Sequence, residues 1–348
     1  MRVADLGITV GPLPSGPTAS IIDVPGVGVG HATVIYDEPP PPQGRGIART
    51  GVTVVDPGGD CLADPVPSGV AVLNGAGELT GRSQIEEWGY AETPIFLTST
   101  MQVGRVYDAA CQVLMGQVLT ASPSTFGEVI IPIVGECDDS WLSDPRAMHV
   151  TVDDVESALA AARHGGEFAQ GAVGAGTGMS CLGWKGGIGS ASRVLPDGHV
   201  VGVLLLTNFG GADRLTIDGA HVGRRLDRSG IIEPPPAGSC IGIAITDAPL
   251  DSASCTRLAR RIGLGLARTG SVAHHGSGEI FVAMANGLRT SGCGGPAITG
   301  RSLDDYFAAV VDASEEAVIA SLINAETTRG YQGRVIEALP LDEVRRIL

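Results

Sequence analysis

A serine that opens an apolar strand directly after a glycine is the residue of this chain best suited to nucleophilic chemistry. The residues before it read Glu233-Pro-Pro-Pro-Ala-Gly238, and Ser239 begins the apolar run 239–245. In a self-cleaving hydrolase, such a hydroxyl attacks the preceding carbonyl, the amide becomes an ester, and water releases a new N-terminus. Gly238 suits the scissile position because glycine tolerates strained backbone angles. The α-amino group freed on Ser239, with a reference pKa of about 7.7–8.0, would then serve as the base for its own hydroxyl.

An isolated Gly-Ser pair is more often an ordinary junction between a loop and a strand, so the surrounding segments decide its interpretation. The first of them ends a strong apolar strand and reads Leu206-Thr-Asn-Phe-Gly-Gly211. Asparagine in such a turn is often only a turn residue. The side-chain amide of Asn208 is equally suited to donate a hydrogen bond to a developing oxyanion.

A second segment, His275-Gly-Ser-Gly-Glu-Ile-Phe-Val282, places polar groups on an apolar strand. Strand alternation predicts that Ser277, Glu279 and Phe281 share one face. A serine and a glutamate in apolar surroundings need a partner or a chemical purpose. The alternative interpretation is a solvated strand end.

A third segment is rich in glycine and contains the only lysine of the chain. It reads Gly174-Ala-Gly-Thr-Gly-Met-Ser-Cys181 and resumes at Lys185-Gly-Gly-Ile-Gly. Dense glycine lets the main chain approach a ligand or another strand closely. Glycine follows Lys185, so the spacing is not that of a Walker phosphate-binding loop. A lysine near a nucleophile can hold its proton or stabilise an oxyanion, which makes Lys185 a candidate catalytic residue.

Composition excludes several classes of function. A net charge of −15 argues against nucleic acid and anionic membrane surfaces as partners. Seven cysteines without a Cys-x-x-Cys pair favour a reduced, cytoplasmic chain. The N-terminus lacks a secretory apolar region, and the longest apolar runs are too short to span a bilayer. The adjacent His274 and His275 diverge and no ligand cluster completes a metal site, so we expect neither a metal nor a cofactor.

Strands and helices are mixed along the whole length, which predicts a layered α/β protein. The predicted strands are residues 51–56, 69–74, 94–99, 129–134, 199–207, 239–246 and 279–285. The predicted helices are residues 104–119, 153–164, 252–268 and 303–325. Because the composition does not change along the chain, we expect a single domain over residues 1–348.

Taken together, these segments resemble the L-aminopeptidase/D-esterase family, which includes the β-aminopeptidases and, more distantly, nylon-oligomer hydrolases. The resemblance runs along nearly the whole chain. Its motifs, in order, are Ile22-Asp-Val-Pro-Gly-Val-Gly-Val-Gly-His31, Arg49-Thr-Gly-Val-Thr53, Leu73-Asn-Gly-Ala-Gly-Glu-Leu-Thr-Gly81, Gly176-Thr-Gly-Met179, Lys185-Gly-Gly-Ile-Gly189, Asn208-Phe-Gly210, Gly238-Ser239, Thr246-Asp-Ala-Pro-Leu250 and Ser277-Gly-Glu279.

The resemblance implies a four-layer αββα sandwich, similar to N-terminal nucleophile hydrolases in architecture but different in connectivity. It implies autoproteolysis between Gly238 and Ser239 into a large chain, residues 1–238, and a small chain, residues 239–348, that stay associated. We expect the processed heterodimers to assemble into a homotetramer.

The resemblance also implies roles for individual residues. Ser239 matches the family's nucleophile, and Ser277 and Glu279 match its Ser/Glu pair on a neighbouring strand. Asn208 matches the oxyanion asparagine. Glu136, which follows the predicted strand 129–134, matches the residue expected to hold the substrate's amino group.

This chain departs from the family pattern beside Glu136. Relatives often carry tyrosine where Trp141 stands, so a phenol hydroxyl that assists the oxyanion is absent. The segment from Cys137 to Ser140 also differs from the usual one. We assign Glu136 and Trp141 to substrate binding; on sequence alone, the acidic stretch could equally be a helix cap or a solvated turn.

The resulting prediction is a serine aminopeptidase or amidase that releases N-terminal residues from peptides, amides or esters through an acyl-enzyme on Ser239. The first alternative is an endo-acting oligoamide hydrolase of the nylon-oligomer type. The second is an acyltransferase similar to ornithine acetyltransferase, which resembles this chain less because its nucleophile is threonine. A third is an inert interaction module. The substrate stays open among α-amino amides, β-amino peptides, D-amino esters and oligoamides.

Overall fold

The computed structural model describes residues 1–121, 129–229, 231, 238–292 and 294–348. The proline-rich stretch expected before the cleavage point lies outside the described residues, and so does Cys293. Gly238 and Ser239 are both described, which places the expected scissile bond within the structure.

Short strands and longer helices alternate along the chain. The strands are β1 (Gly28–Asp37), β2 (Ile47–Asp56), β3 (Val66–Gly75), β4 (Tyr90–Ala91), β5 (Ile95–Ser99), β6 (Ile133–Cys137), β7 (Ser180–Cys181), β8 (Trp184–Lys185), β9 (Ile188–Val194), β10 (Val200–Asn208), β11 (Ser239–Thr246), β12 (Gly278–Ala285), β13 (Thr328–Arg329) and β14 (Val335–Ile336). The helices are α1 (Arg82–Trp88), α2 (Val103–Ala121), α3 (Val152–His164), α4 (Ser252–Thr269), α5 (Asp304–Ile323) and α6 (Leu341–Ile347).

Local sequence explains where the helices of the outer layers begin and end. Thr151 and Asp154 form a capping box at the start of α3, with the Asp154 amide donating to Thr151 Oγ1 at 3.3 Å. Asp251 caps α4 by accepting from the Ser254 amide at 2.8 Å. Gly270 ends α4 in the left-handed conformation that glycine tolerates.

Two larger sheets form the centre of the fold. One has six strands in the order β4-β3-β12-β11-β10-β9, and the other has four in the order β1-β2-β5-β6. β11 pairs in parallel with β12 and antiparallel with β10. β11 and β12 therefore lie in the middle of the six-stranded sheet. The chain directly after Gly238 thus enters the sheet at its centre.

The sheets face each other across an apolar core, and helices cover both outer faces. Leu97 and Ile133 of the smaller sheet pack with Ile241 and Ile280 of the larger one. Helices α4 and α5 cover the six-stranded sheet, and α2 and α3 cover the four-stranded sheet. The four-layer αββα architecture is confirmed. Within the described part of the chain, no helix is both long and apolar enough to cross a membrane.

Most predicted elements are confirmed, but one strand is displaced and others were not predicted. The predicted strand 129–134 has the wrong bounds, because β6 spans Ile133–Cys137 and so contains Glu136. Strand β9 is buried along most of its length although it carries polar side chains, so its sequence does not predict a buried strand. Ser190 donates to the Val203 carbonyl at 2.7 Å, and Arg193 pairs with Glu316 at 2.6 Å. Hydrogen bonds and an ion pair therefore accompany the burial of these polar side chains.

Candidate active site

Ser239 is the first residue of β11, a central strand of the six-stranded sheet, and it is buried. Only 5% of its surface is exposed. The strand register places it opposite Asn208 on β10 and opposite Gly278 on β12. Sequence separates these three residues widely, and the pairing of three adjacent strands brings them to one level of the sheet.

The carbonyl that the Ser239 hydroxyl would attack already accepts a hydrogen bond. The Gly278 amide donates to the Gly238 carbonyl oxygen at 3.1 Å. A side chain at position 238 would not fit, because a Cβ atom there would lie 1.7 Å from the Asn208 carbonyl oxygen. Tight packing is therefore a second reason, besides backbone freedom, why position 238 requires glycine. Gly278 itself was not predicted, since a backbone donor leaves no signal in the sequence.

Asn208 is held at both ends of its side-chain amide. Its Oδ1 accepts from the Ser180 amide at 2.9 Å, and its Nδ2 donates to the Asp138 carbonyl at 2.8 Å. The side chain is buried, with 7% of the residue exposed. A primary amide has two N–H groups. One therefore positions the side chain, and the second is the group that could donate to a developing oxyanion.

Ser277 and Glu279 form a hydrogen-bonded pair on either side of Gly278. The Ser277 hydroxyl donates to Glu279 Oε1. Glu279 is fully buried, and its Oε2 has no hydrogen-bond partner in the described structure. Burial raises the pKa of Glu279, and the bond from Ser277 opposes that shift. The pair is thus a buried proton acceptor with one oxygen still available, rather than a solvated strand end.

Ser239 opens onto a cavity of about 440 Å³. The cavity is lined by Ala76, Gly77, Glu78, Thr100, Val103, Glu136, Asp138, Gly238, Ser239 and Gly276. Among these described lining residues there are carboxylates but no basic side chain. The cavity therefore combines a candidate nucleophile with surroundings that favour a cationic group. A larger cavity of about 780 Å³, between Trp88 and Arg289, contains none of the candidate catalytic residues.

Glu136 lies in this cavity with a restricted carboxylate. Its Oε1 accepts from the Glu78 amide at 2.8 Å, and its Oε2 accepts from the Thr100 hydroxyl. Only 2% of the residue is exposed. Burial raises the pKa of Glu136, whereas both hydrogen bonds lower it. A buried carboxylate without a cationic partner is suited to receive the ammonium group of a ligand.

Lys185 has partners different from those we predicted. Its Nζ donates to the carbonyl oxygens of Gly176, Met179 and Gly186, at 3.1, 2.7 and 2.8 Å. The side chain is fully buried, and burial lowers its pKa to about 7. An ammonium has three N–H groups and all three are occupied by these carbonyls. Lys185 thus stabilises the glycine-rich segment, and its predicted contact with the reacting atoms stays a prediction.

Trp141 is half-buried and stacks against another side chain. The Arg334 guanidinium lies 4.2 Å from the centre of its indole ring. Trp141 is not among the described residues that line the cavity beside Ser239. Its assignment to substrate binding stays a prediction.

Further residues at the candidate site were not among those predicted from the sequence. Thr100 and Glu78 hold the Glu136 carboxylate, and the Asp138 carbonyl holds Asn208. Glu78 belongs to the motif Leu73–Gly81, which was the one available signal for its place near the site. Thr100 carries no comparable signal, because a single threonine after a strand is a common turn residue.

Known proteins resemble this chain in sequence and in fold. The profile of peptidase family S58 matches residues 19–336. The β-peptidyl aminopeptidase BapA from Sphingosinicella microcystinivorans is 37% identical over 370 residues, covering 100% of this chain and 91% of the relative. The solved structure of a Burkholderia sp. β-aminopeptidase has a TM-score of 0.89 at 37% identity and covers 100% of this chain and 99% of its own.

A second solved structure identifies the type of fold. The L-aminopeptidase D-Ala-esterase/amidase from Ochrobactrum anthropi has a TM-score of 0.90 at 34% identity, covering 100% of this chain and 98% of its own. That enzyme is described as a prototype for the serine aminopeptidases and as a new variant of the N-terminal nucleophile hydrolase fold. The chain described here belongs to peptidase family S58 and is an aminopeptidase with this variant of the fold.

Proposed function

We propose that this aminopeptidase activates itself by cleavage between Gly238 and Ser239, and that the new N-terminal serine then removes residues from substrates with a free amino group. One observation carries the proposal. Ser239 and the buried Glu136 share a cavity of about 440 Å³ that also contains the Gly238 end of the expected scissile bond. A nucleophile and an ammonium-binding carboxylate in one cavity are what an aminopeptidase requires.

Self-cleavage begins with attack of Ser239 Oγ on the Gly238 carbonyl carbon. The carbon–nitrogen bond breaks, the Ser239 nitrogen takes a proton, and Gly238 becomes an ester on the serine oxygen. The Gly278 amide, 3.1 Å from the Gly238 oxygen, stabilises the negative charge that this oxygen gains. Water then hydrolyses the ester and leaves a Gly238 carboxylate together with a free amine and hydroxyl on Ser239.

The catalytic cycle uses the same groups on an external substrate. Glu136 binds the substrate ammonium and holds the scissile carbonyl at a fixed distance from Ser239. The Ser239 amine accepts the hydroxyl proton as Oγ attacks, and the free N–H of Asn208 donates to the oxyanion. Ser277 and Glu279 orient the reacting groups and relay the proton. Release of the amine or alcohol leaves an acyl-enzyme on Ser239, which water hydrolyses.

The topology supports a stable two-chain enzyme with one folded domain over residues 1–348. Cleavage places β11 and β12 in the small chain, and both lie between strands of the large chain in the six-stranded sheet. Helices α4 and α5 of the small chain cover that same sheet. Separation would break a central sheet and its core, so the chains stay associated. A homotetramer of such heterodimers and a cytoplasmic location stay predictions.

The relatives define the range of substrates to test. Their names refer to β-peptides, L-amino acid substrates and D-alanine esters or amides. We therefore propose a peptide, small amide or ester that carries a free amino group next to the scissile bond. A panel of chromogenic α-, β- and D-amino acid amides on the processed protein identifies the preferred class.

The decisive test compares each good substrate with its N-acetylated form. Free amines should be cleaved and acetylated ones poorly, because acetylation removes the charge that Glu136 binds. Glu136→Gln should raise KM by about tenfold or more, the scale of one hydrogen bond to a charged group. Glu87→Gln is the control, since it removes an exposed carboxylate of α1 that does not line the cavity.

Equal rates on free and acetylated substrates would contradict the aminopeptidase site and favour an endo-acting oligoamide hydrolase. The Glu136→Gln variant also separates the two reactions of Ser239. Self-cleavage involves no external amine, so it should proceed at the rate of the unmodified chain.

A further inference from the structure

The most unusual buried group outside the proposed reaction is the ammonium of Lys185. Lys185 is the single lysine of the sequence, and none of its surface is exposed. Burying a charged amine is costly unless each of its protons finds an acceptor. Here the acceptors are three backbone carbonyls of the glycine-rich segment, those of Gly176, Met179 and Gly186. These contacts explain how the charge is tolerated, but not what it does.

The carbonyls converge on Lys185 where glycines bring this segment close to neighbouring backbone. A Cβ atom at Gly176 would lie 2.6 Å from the Ile188 nitrogen, and one at Gly187 would lie 2.1 Å from the Gly171 oxygen. Threonine hydroxyls bind several N–H groups of the segment, among them that of Gly187. The ammonium adds a contact to three of its carbonyls at once.

One of these peptide planes connects Lys185 to Asn208. The Met179 carbonyl and the Ser180 N–H are the two ends of a single planar peptide group. Lys185 Nζ binds the oxygen end at 2.7 Å, and the nitrogen end donates to Asn208 Oδ1 at 2.9 Å. A cation on the oxygen also polarises the N–H and strengthens its hydrogen bond. The orientation of the Asn208 amide therefore depends on the same peptide that the ammonium holds.

We propose that Lys185 is a positioning residue that aims the Asn208 amide at the oxyanion through the Met179–Ser180 peptide. The inference rests on the proposed function, because it takes Asn208 as the oxyanion donor. Lys185 makes no contact with substrate in this account. Its charge fixes the peptide, the peptide fixes Asn208 Oδ1, and the remaining N–H of Asn208 is left to donate beside Ser239, with which Asn208 pairs across β10 and β11.

Two titratable groups interact with the ammonium. The Cys181 thiol and the Asp139 carboxyl both raise the pKa of Lys185 and oppose the effect of burial. Asp139 is itself buried, with its pKa raised to about 7 by desolvation. The next peptide back along the chain, at Asp138, accepts from Asn208 Nδ2. The Asp138 carbonyl, which holds the other end of the Asn208 amide, thus belongs to the residue directly before Asp139.

A double-mutant cycle tests the proposal. Lys185→Met, Asn208→Ala and the double variant are compared by kcat and KM on a good free-amino substrate, with kcat expressed per free Ser239 N-terminus. Lys185→Met should lower kcat by about tenfold or more and leave KM within about twofold, because only the oxyanion donor is displaced. In the Asn208→Ala background, the same change should cost less than about twofold.

A matched pair of substitutions tests the connecting peptide without touching the lysine. Ser180→Pro removes the N–H that binds Asn208, and Ser180→Ala retains it. Met179 has φ −82° and ψ 152°, a conformation allowed before proline. Ser180→Pro should therefore lower kcat as Lys185→Met does, and Ser180→Ala should not. If Lys185→Met does not fold, Lys185→Gln takes its place in the cycle, because the Ser180 pair tests the peptide and not the ammonium.

The outcomes are distinguishable. A tenfold loss from Lys185→Met that persists in the Asn208→Ala background overturns the inference, and so does wild-type kcat in Ser180→Pro. Wild-type kcat in Asn208→Ala instead overturns the oxyanion assignment in the proposed function. A large loss of kcat in Asn208→Ala, a comparable loss in Ser180→Pro and a loss from Lys185→Met that disappears in the Asn208→Ala background support both.

Discussion

At the scale of single residues, the candidate site is organised by backbone groups as much as by side chains. The Gly278 amide binds the carbonyl that Ser239 would attack, and the Asp138 carbonyl and Ser180 amide hold Asn208. Preorganised donors of this kind need no rearrangement when charge develops, which is the basis of their catalytic effect. Backbone hydrogen bonds therefore position the groups on which the candidate catalytic side chains would act.

The Ser277–Glu279 pair gives a prediction at this scale. Replacing either residue by alanine should lower kcat by about a hundredfold or more. This is the lower end of the rate enhancement that a positioned general acid or base provides. The change leaves a buried partner without its hydrogen bond, so thermal unfolding must be measured beside kcat. Both variants should remain folded at the assay temperature.

A buried serine elsewhere provides the control. Ser192 on β9 is fully buried and its hydroxyl donates to Asp23 Oδ2 at 2.6 Å, so Ser192→Ala removes a comparable hydrogen bond outside the candidate site. This control should keep its full kcat. Near wild-type turnover in both Ser277→Ala and Glu279→Ala, with unchanged stability, would return the pair to a structural role.

Residue types predicted much of the candidate site, and backbone contacts account for the rest. Ser239, Asn208 and Glu279 are distinctive because each places a reactive or polar group at an apolar strand. Gly278 contributes only an N–H, and Thr100 is one of many threonines, so neither could be selected from one sequence. Lys185 was recognised as unusual, but its carbonyl partners depend on how the glycine-rich segment folds.

At the scale of elements, apolar periodicity predicted the strands whose side chains are apolar. Strand β11 is buried at every position and reads as a continuous apolar run, as expected for a strand at the centre of a sheet. Strand β9 carries Ser190, Ser192 and Arg193 instead, and tertiary hydrogen bonds hold their hydroxyl groups and the end of the guanidinium. Strand β6 begins later than its apolar run, since the residues before it are not paired with a neighbouring strand. Such tertiary compensation is not visible in a single sequence.

His31 on β1 links three elements and gives a prediction of pH dependence. Its Nδ1 bonds with Thr53 Oγ1 on β2 at 2.9 Å, and its Nε2 bonds with the Ala169 carbonyl at 3.0 Å. Burial lowers its pKa from 6.5 to about 4. The unfolded chain therefore takes up a proton before the folded one does, and the stabilisation by neutral His31 is lost as the pH falls from about 6.5 towards about 4.

We expect protonation of His31 to lower the free energy of unfolding by about 1–2 kcal/mol over this pH range. Urea unfolding at pH about 7 and about 4.5 measures it in the unmodified protein and in His31→Gln, which does not titrate in this range. The unmodified protein should lose more stability between the two conditions than the variant. Identical losses would show that His31 is protonated at its ordinary pKa in the folded state.

At the scale of the whole molecule, the two chains that the proposed cleavage would leave share one sheet. β11 and β12 lie between β10 and β3, so the small chain would supply the centre and the large chain both flanks. The Gly238–Ser239 junction is the start of β11. The proposed cleavage would free a terminus beside the cavity that Ser239 lines, without removing a strand from the sheet.

We expect the processed enzyme to behave as one folded unit. Size-exclusion chromatography should show both chains in one native peak, and a denaturing gel of that peak should show two bands. Separation should require denaturant, because it breaks the pairing of β11 with β10 and of β12 with β3. Elution of the small chain alone in native buffer would contradict the shared-sheet arrangement. The molar mass of the native peak also tests the predicted homotetramer.

The central claim is that cleavage at Gly238–Ser239 produces the active enzyme, and intact mass spectrometry tests it most directly. Samples of freshly purified protein are followed over time for mass, N-terminal sequence and activity on one free-amino substrate. The 35.4 kDa chain should be replaced by two chains, the smaller beginning at Ser239, with activity rising in proportion. Ser239→Ala should stay uncut and inactive. A fully active sample that contains only the 35.4 kDa chain would contradict the account.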